Sequence, residues 1–366
     1  MLEPGMTVGV EEEFLLVDSR TRRAVPRAAA VLAHAPMRQL PIGATLQREL
    51  QSCQVELATG VCTNLAVLRQ QLLAGRQLLG VAARRENAVL ISSGTPVLAS
   101  DDPPVTTGTR FEAISDTYAG QAAKYQSSGC HVHVGVPDRE TAVSVINHMR
   151  PWLPTLLALS VNSPFDDGTD TGYGSWRTVQ QAGYPGSGIP PWFASAAAYD
   201  QQVAWLVGAG ALVDPSMTFW VARPSPRFPT VEVRIADAAS TVDEAVLQAA
   251  LTRALVRTAL TDIAAGHPAP AISDQMLAAA LWSAARYGLA GPGIDPEFGK
   301  QVPAEELVMR LLAWVGPALA ETGDWDRTQE VVKDLLADGT GAERQRNVAA
   351  DGVVAIVDML AEAVEQ

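Results

Sequence analysis

VGVEEEFLLVD, residues 8–18, sets three adjacent glutamates inside a run of strand formers. Side chains on a strand alternate between its faces, so Glu11 and Glu13 share one face. Val8, Val10, Glu12, Phe14 and Leu16 share the other. Burying neighbouring carboxylates without a cation is costly. The expectation is that Glu11 and Glu13 look into a cleft where a divalent metal neutralises them. Glu12 is expected to lean toward the apolar side or to sit at the strand's rim, and the sequence suggests no partner for it.

Two further strands repeat the pattern. In CHVHVGV, residues 130–136, His131 and His133 share a face, backed by Val132, Val134 and Val136. In TVEVRIA, residues 230–236, Glu232 and Arg234 share a face, backed by Val231, Val233 and Ile235. Placed in one sheet, the apolar sides pack on helices and the other sides form a floor of carboxylates, imidazoles and a guanidinium. Residues 47–58 read as a strand carrying Glu49 and Glu56. These lie seven residues apart, an odd number, so a bulge or a turn must separate them if both face the floor. As an antiparallel neighbour of residues 7–18, this segment brings Glu56 close to Glu11 and Glu13.

Periodicity assigns most of the remaining chain. A helix is expected over 64–86, with Thr63 or Asn64 as its cap, and a buried strand over 88–94. Residues 95–127 are mixed. A helix over 140–163 is interrupted near Pro151 and Pro154. Residues 163–193, rich in Gly, Pro, Asp and aromatics, lack clear periodicity and suit a lid or binding loop. Residues 198–213 look helical, and 217–222 and 230–236 read as strands. Past residue 240 the chain reads as nearly all helix, over 241–265, 271–287, 303–321, 325–338 and 341–364. No regular βαβ alternation appears. The expected class is α+β, an antiparallel sheet backed by helices, in a single domain over 1–366 that is mixed to residue 240 and mainly helical beyond.

The chain has 366 residues, 48% hydrophobic and 18% charged, with net charge −13 and pI ≈ 4.8. Such acidity argues against a nucleic-acid surface, which needs clustered Lys and Arg. It permits small-molecule substrates and divalent cations. Cys53, Cys62 and Cys130 form no spaced framework, which suggests free thiols in a reducing compartment. The N-terminal MLEPGMTVGVEEE lacks the regions of a signal peptide, and no apolar run reaches bilayer length. A cytoplasmic protein with no membrane contact is expected.

Clustered carboxylates with few histidines suit Mg²⁺ or Mn²⁺ better than Zn²⁺. Arg223, Arg227 and Arg234 lie within a short, acid-flanked stretch. Arginines beside metal-binding carboxylates make sense when a polyphosphate sits between them. Taken singly, each motif also fits a solvated strand face, a cross-strand ion pair or surface salt bridges. No Walker A and no strand-linked GxGxxG occurs, so a nucleotide site would be of another kind.

The stretches VGVEEEFLLVD, VELATGVC, SSGCHVHVGV, NSPFDDGTDTGYGSWR, RPSPRFPTVEVRIAD and ARYGLAG together resemble the carboxylate–amine ligase family. This family is also called glutamate–cysteine ligase type 2 and belongs to the glutamine synthetase-like superfamily. The resemblance runs from about residue 6 to the C-terminal helix. It implies a curved antiparallel sheet whose concave face holds ATP and divalent metals. It implies that Glu11 and Glu13 ligate different metals, that Glu49 and Glu56 complete one metal site, and that His131 serves a second with Glu232. His133 would face the nucleotide phosphates. Arg223, Arg227 and Arg234 would hold the transferring phosphoryl group, and Arg177 would clamp a substrate carboxylate. A homo-oligomer, such as a dimer, is also implied.

The resulting expectation is an ATP-dependent ligase that activates a carboxylate as an acyl phosphate and joins it to an amine. Glutamate and cysteine are the first candidates, and a different acid or amine in a specialised pathway is the alternative. Two readings of other classes compete: a guanidino-type phosphotransferase that stops at phosphorylation, and a non-catalytic metal-binding protein.

Overall fold

The computed structural model describes residues 3–100 and 104–365. Met1 and Leu2, part of the stretch read for a leader, lie outside it. Its centre is an antiparallel sheet of seven strands: β1 (Val8–Asp18), β2 (Thr45–Arg48), β3 (Gln54–Ala58), β4 (Ala88–Ile91), β5 (Gly129–Gly135), β6 (Ala222–Pro224) and β7 (Thr230–Asp237). Their order is β6-β7-β5-β1-β3-β2, with β4 also pairing to β1.

Strand β1 is the hub. Its first half pairs with β5, placing Glu11 opposite His131, and its middle pairs with β3, placing Glu13 opposite Glu56. Strand β7 then places Glu232 opposite His133. The period-2 reading of all three strands is thus realised in one register. The segment read as one strand over 47–58 is two strands: Leu50 to Cys53 turn the chain between β2 and β3. That turn resolves the odd spacing of Glu49 and Glu56.

The apolar face of the sheet packs on helices. Val8, Val10, Val132, Val134, Val231 and Val233 join one core with Met149, Leu251, Leu255 and Leu311. These last come from the helices Arg139–Met149, Val242–Ala264 and Ala304–Thr322. The core therefore spans both the mixed and the helical parts of the chain. Helix Leu65–Arg85 begins where Asn64 caps it, its side chain accepting from the Ala66 N–H at 2.7 Å. Arg84 and Arg85 fall in its last turn, where cations are favourable. Residues 139–160 break into two helices around a short 3₁₀ turn, Arg150–Trp152, as their prolines require.

Three expectations need correction. The strand read over 217–222 is a 3₁₀ turn, a two-residue strand Phe219–Trp220 on Ser187–Gly188, and then β6. The helical run is interrupted by a hairpin, Pro292–Asp295 with Lys300–Pro303, and its last helix breaks before Val353 at Gly352, whose φ is 99°. The 163–193 segment is not an unstructured loop. It carries a small hairpin, Phe165–Asp166 with Thr169–Asp170, and a helix, Trp176–Gln181.

That segment is also anchored. The buried carboxylate of Asp237 accepts from Asn162 N at 2.8 Å, Ser163 Oγ at 2.7 Å and Ser175 Oγ at 2.8 Å. Arg346 grips Asp170 through both carboxylate oxygens, at 2.7 and 2.9 Å. Cys53, Cys62 and Cys130 are all free and buried. Among the described residues no helix is long and apolar enough to cross a membrane.

Candidate active site

A cleft of about 430 Å³ opens on the polar face of the sheet. Glu11, Glu13, Glu49, Glu56, His131, His133, Arg223, Arg227, Glu232 and Arg234 all line it. These are ten of the eleven residues singled out from the sequence. The eleventh, Arg177, does not line the cleft.

The acidic residues gather into two groups. Glu13, Glu49 and Glu56 each present a carboxylate oxygen, all within 4.8 Å of one another. Glu11, His133 and Glu232 form the second group within the same limit. The histidine of that group is His133, where the family resemblance had implied His131. The register explains the exchange, because β7 sets His133 opposite Glu232. His133 Nδ1 meets Thr230 Oγ1 at 2.9 Å, which leaves Nε2 directed at Glu11, 3.5 Å away. His131 instead bridges the groups, with Nδ1 3.4 Å from Glu11 and Nε2 3.7 Å from Glu13.

Charge in the two groups is balanced unequally. In the second, Arg223 grips Glu232 with two hydrogen bonds, at 2.9 and 3.0 Å, and Arg234 adds a third. Burial pushes the Glu232 carboxyl up, but Arg223 and Arg234 outweigh it and hold the group well below the usual range. For Glu11 burial is likewise outweighed, by hydrogen bonds from His131 and His133. In the first group burial and the neighbouring Glu49 push Glu13 up to about 8, and push Glu56 well above its ordinary value. His131 is driven down to about 3 by burial and by Arg234, so it is neutral and a potential ligand rather than a counter-ion.

These features fit divalent cations. The first group offers oxygen donors alone, as hard cations require. The second adds one imidazole whose outer nitrogen is already oriented by a hydroxyl, the arrangement usual for a metal-binding histidine. His131 Nε2 and His133 Nε2 are buried without a hydrogen-bond partner among the described residues. Polar atoms are rarely left so without cause.

The arginines divide. Arg223 is buried, and its remaining hydrogens go to the carbonyls of Ser216 and Thr218, at 2.7 and 3.0 Å. It positions Glu232 and has little left for a phosphate. Arg227 is exposed, makes no ion pair among the described residues and lies over the Phe228 ring. Arg234 stands between the two carboxylate groups, its charge held by Glu232 and Glu13.

Arg177, expected as a clamp for a substrate carboxylate, is buried and bonds the backbone of β7. Strand β7 bulges between Val233 and Ala236. A bulge leaves ladder groups unpaired. Arg177, itself buried, donates to the freed carbonyls of Arg234 at 3.2 Å and Ile235 at 3.4 Å. A Cβ at residue 129 would stand 2.3 Å from its guanidinium, so glycine is required there. The Gly129 N–H in turn donates to Glu13 at 2.6 Å. Arg177 thus braces the bulged strand from the same face of the sheet as His131 and His133, beside Gly129.

Glu12 also finds its place. It is buried on the apolar side, paired through both oxygens with Arg76 of the Leu65–Arg85 helix. Arg76 further donates to the carbonyls of Ala239 and Ser240, at 2.9 and 3.2 Å. The sequence reading missed several cleft walls: Arg110, Phe111, Tyr125 and Phe219. Arg110, Phe111 and Tyr125 come from a segment without clear periodicity, Phe219 from one read as a strand, and none belongs to a motif.

The comparisons with known proteins agree with this geometry. The sequence profile of glutamate-cysteine ligase family 2 (GCS2) matches residues 7–357. A "Putative glutamate–cysteine ligase 2-2" of Saccharopolyspora erythraea is 56% identical over 351 residues, covering 95% of this chain and 89% of the relative. A "Putative glutamate–cysteine ligase 2-1" of Nocardia farcinica is 45% identical, covering 96% and 91%. Among solved structures, a glutamate–cysteine ligase of Francisella tularensis in complex with AMP superposes with TM-score 0.70 at 13% identity, covering 98% of this chain and 88% of that one. A bifunctional glutathione synthetase of Pasteurella multocida gives 0.69 at 16% identity, covering 98% and 51%. The fold is shared with these ligases, and the chain belongs to glutamate–cysteine ligase family 2.

Proposed function

We propose that this chain is an ATP-dependent ligase that joins the γ-carboxylate of glutamate to an amine, with cysteine as the first amine to test. One observation carries the reading: two carboxylate groups and two cationic side chains, Arg227 and Arg234, converge on one cleft. Acids and guanidinium groups set face to face are best reconciled by a phosphate chain with its counter-cations between them. Support also comes from the names borne by the relatives and from the AMP in the Francisella structure.

The Glu13–Glu49–Glu56 and Glu11–His133–Glu232 groups would hold divalent cations, Mg²⁺ first and Mn²⁺ also suitable. Bound there, such ions neutralise charge on phosphate oxygens. Arg227 and Arg234 orient the γ-phosphoryl group and stabilise the charge it carries as it passes to the substrate carboxylate. ATP becomes ADP, and the carboxylate becomes an acyl phosphate. The neutral amine then attacks the acyl carbon, the C–N bond forms, inorganic phosphate leaves, and the ammonium proton passes to a base. Arg223 and Arg177 act indirectly, by holding Glu232 and the Arg234 backbone in place.

We also propose that the chain works as one catalytic domain, which its shared core supports. The three buried free thiols support a reducing, cytoplasmic setting. A homodimer rests on the family resemblance.

The test is ADP release with ATP, Mg²⁺ and glutamate, with and without a panel of amines, and product masses from the same reactions. Turnover that needs both partners, and a product mass equal to their sum less water, is expected. A phosphorylated product without amide would replace the ligase by a phosphotransferase.

A further inference from the structure

A second cavity, of about 530 Å³, lies beside the cleft, and Tyr125 lines both. Between them Ser127, on the cleft side, is hydrogen-bonded to Gln180, on the cavity side. The Tyr125 hydroxyl accepts from Gln181 at 2.9 Å, so this shared wall is built from the anchored 163–193 segment. Its size falls in the ~300–1,000 Å³ range of small-molecule sites, far more than cysteine fills.

The walls carry two ionisable groups that make no ion pair among the described residues. Lys124, one of only three lysines in the chain, is exposed at the cavity and makes no ion pair among the described residues. Asp166 also lines the cavity, half-buried, and accepts from the Trp176 indole at 3.1 Å, with no ion pair among the described residues. Trp176 offers a flat apolar surface to the same space.

Within the cleft, Arg223 is fully engaged, Arg110 pairs with Asp214, Arg234 is held by Glu232 and Arg227 serves the phosphate, which leaves the exposed Arg48 as the remaining cation for an acceptor's own anion. Resting on the ligase reading above, we propose that the side cavity is the acceptor pocket and that the acceptor is an amine of dipeptide size bearing a carboxylate. Its reacting amine points past Tyr125 into the cleft. Its carboxylate meets Lys124, an amide N–H meets Asp166, and a side chain lies on Trp176.

The probes are alanyl-alanine, alanyl-alanine amide and cysteine. Calorimetric binding is measured with Mg²⁺, glutamate and a non-hydrolysable ATP analogue, for wild type, Lys124→Ala and Lys124→Arg. Alanyl-alanine is expected to bind wild type roughly tenfold tighter than either its amide or the Lys124→Ala protein permits, the scale of one charge-assisted hydrogen bond. Lys124→Arg should restore most of the loss. In turnover the same factor should appear in the acceptor KM, with KM for ATP and glutamate unmoved. Equal binding of acid and amide, or no effect of Lys124→Ala, overturns the pocket. A higher kcat/KM for cysteine than for the dipeptide overturns the size assignment. Absence of ADP with every acceptor breaks the ligase reading, and the binding data then decide the pocket alone.

Discussion

Glu12 and its neighbours Glu11 and Glu13 sit side by side on one strand, yet they live in opposite electrostatic settings. On the dry face, Glu12 meets one guanidinium, that of Arg76, which also satisfies backbone carbonyls around the start of the Val242–Ala264 helix. Charge is balanced inside the protein, and the result is a staple between strand and helices. On the wet face, Glu13 meets Glu49 and Glu56, and the nearby Arg177 and Arg234 only partly offset burial and like charge, so Glu13 stays raised to about 8. The first arrangement is complete as it stands. The second crowds three carboxyl groups together, and that crowding marks the site.

This contrast can be broken most forcefully at Arg76. Arg76→Met should lower unfolding free energy by about 3–5 kcal/mol in urea titrations, because it strands a buried carboxylate. Adding Glu12→Leu should recover most of that loss, since an apolar pair of similar size suits the surroundings. On the other face the sign reverses. Glu56→Gln should raise the Tm of metal-free protein by removing like-charge repulsion, while cutting kcat by about 10²–10³, the scale for losing a preorganised electrostatic group.

Mg²⁺ sharpens the comparison next. At a hundred times its dissociation constant it should stabilise wild type by about 2.7 kcal/mol, and Glu56→Gln by much less. In metal-free protein a pH dependence should accompany this. Glu13 titrates near 8 in the folded chain against an ordinary value of 4.5. Between those values the folded state binds the extra proton, so stability should fall as pH rises from about 5 to 8. Glu13→Gln should flatten that slope. The smallest effect is expected at Arg227, which is exposed and unpaired: Arg227→Ala should raise KM for ATP roughly tenfold and leave Tm unchanged.

The wet face was legible in the sequence because a strand's period is fixed. Once Glu11 and Glu13, His131 and His133, and Glu232 and Arg234 are read as strand positions, they must share a floor. What the period cannot supply is register, which sets His133 rather than His131 beside Glu232. Glu49 was legible only as a problem of parity, which the turn at residues 50–53 solves. The contacts of Arg177 were not legible because they depend on a bulge, a departure from the period itself. The Glu12–Arg76 pair did leave a trace. Arg76 sits on the apolar stripe of its helix with Leu68, Leu72 and Leu79, so two lone charges on two apolar faces were each other's natural partners. Tyr125 and Asp166 lie in segments without any period, and only folding brings them together.

The three buried thiols have a practical corollary. Burial lifts Cys53 to about 12 and pushes Cys130 higher still, so neither is a thiolate at neutral pH. A thiolate is the reactive species toward alkylating reagents and disulfides. Cys53 lies on the turn that carries Glu49 toward the site, Cys62 follows β3, and Cys130 stands on β5, opposite Glu12. Each is therefore a silent reporter for the strand around it, and its rate of modification counts how often that part of the sheet comes open.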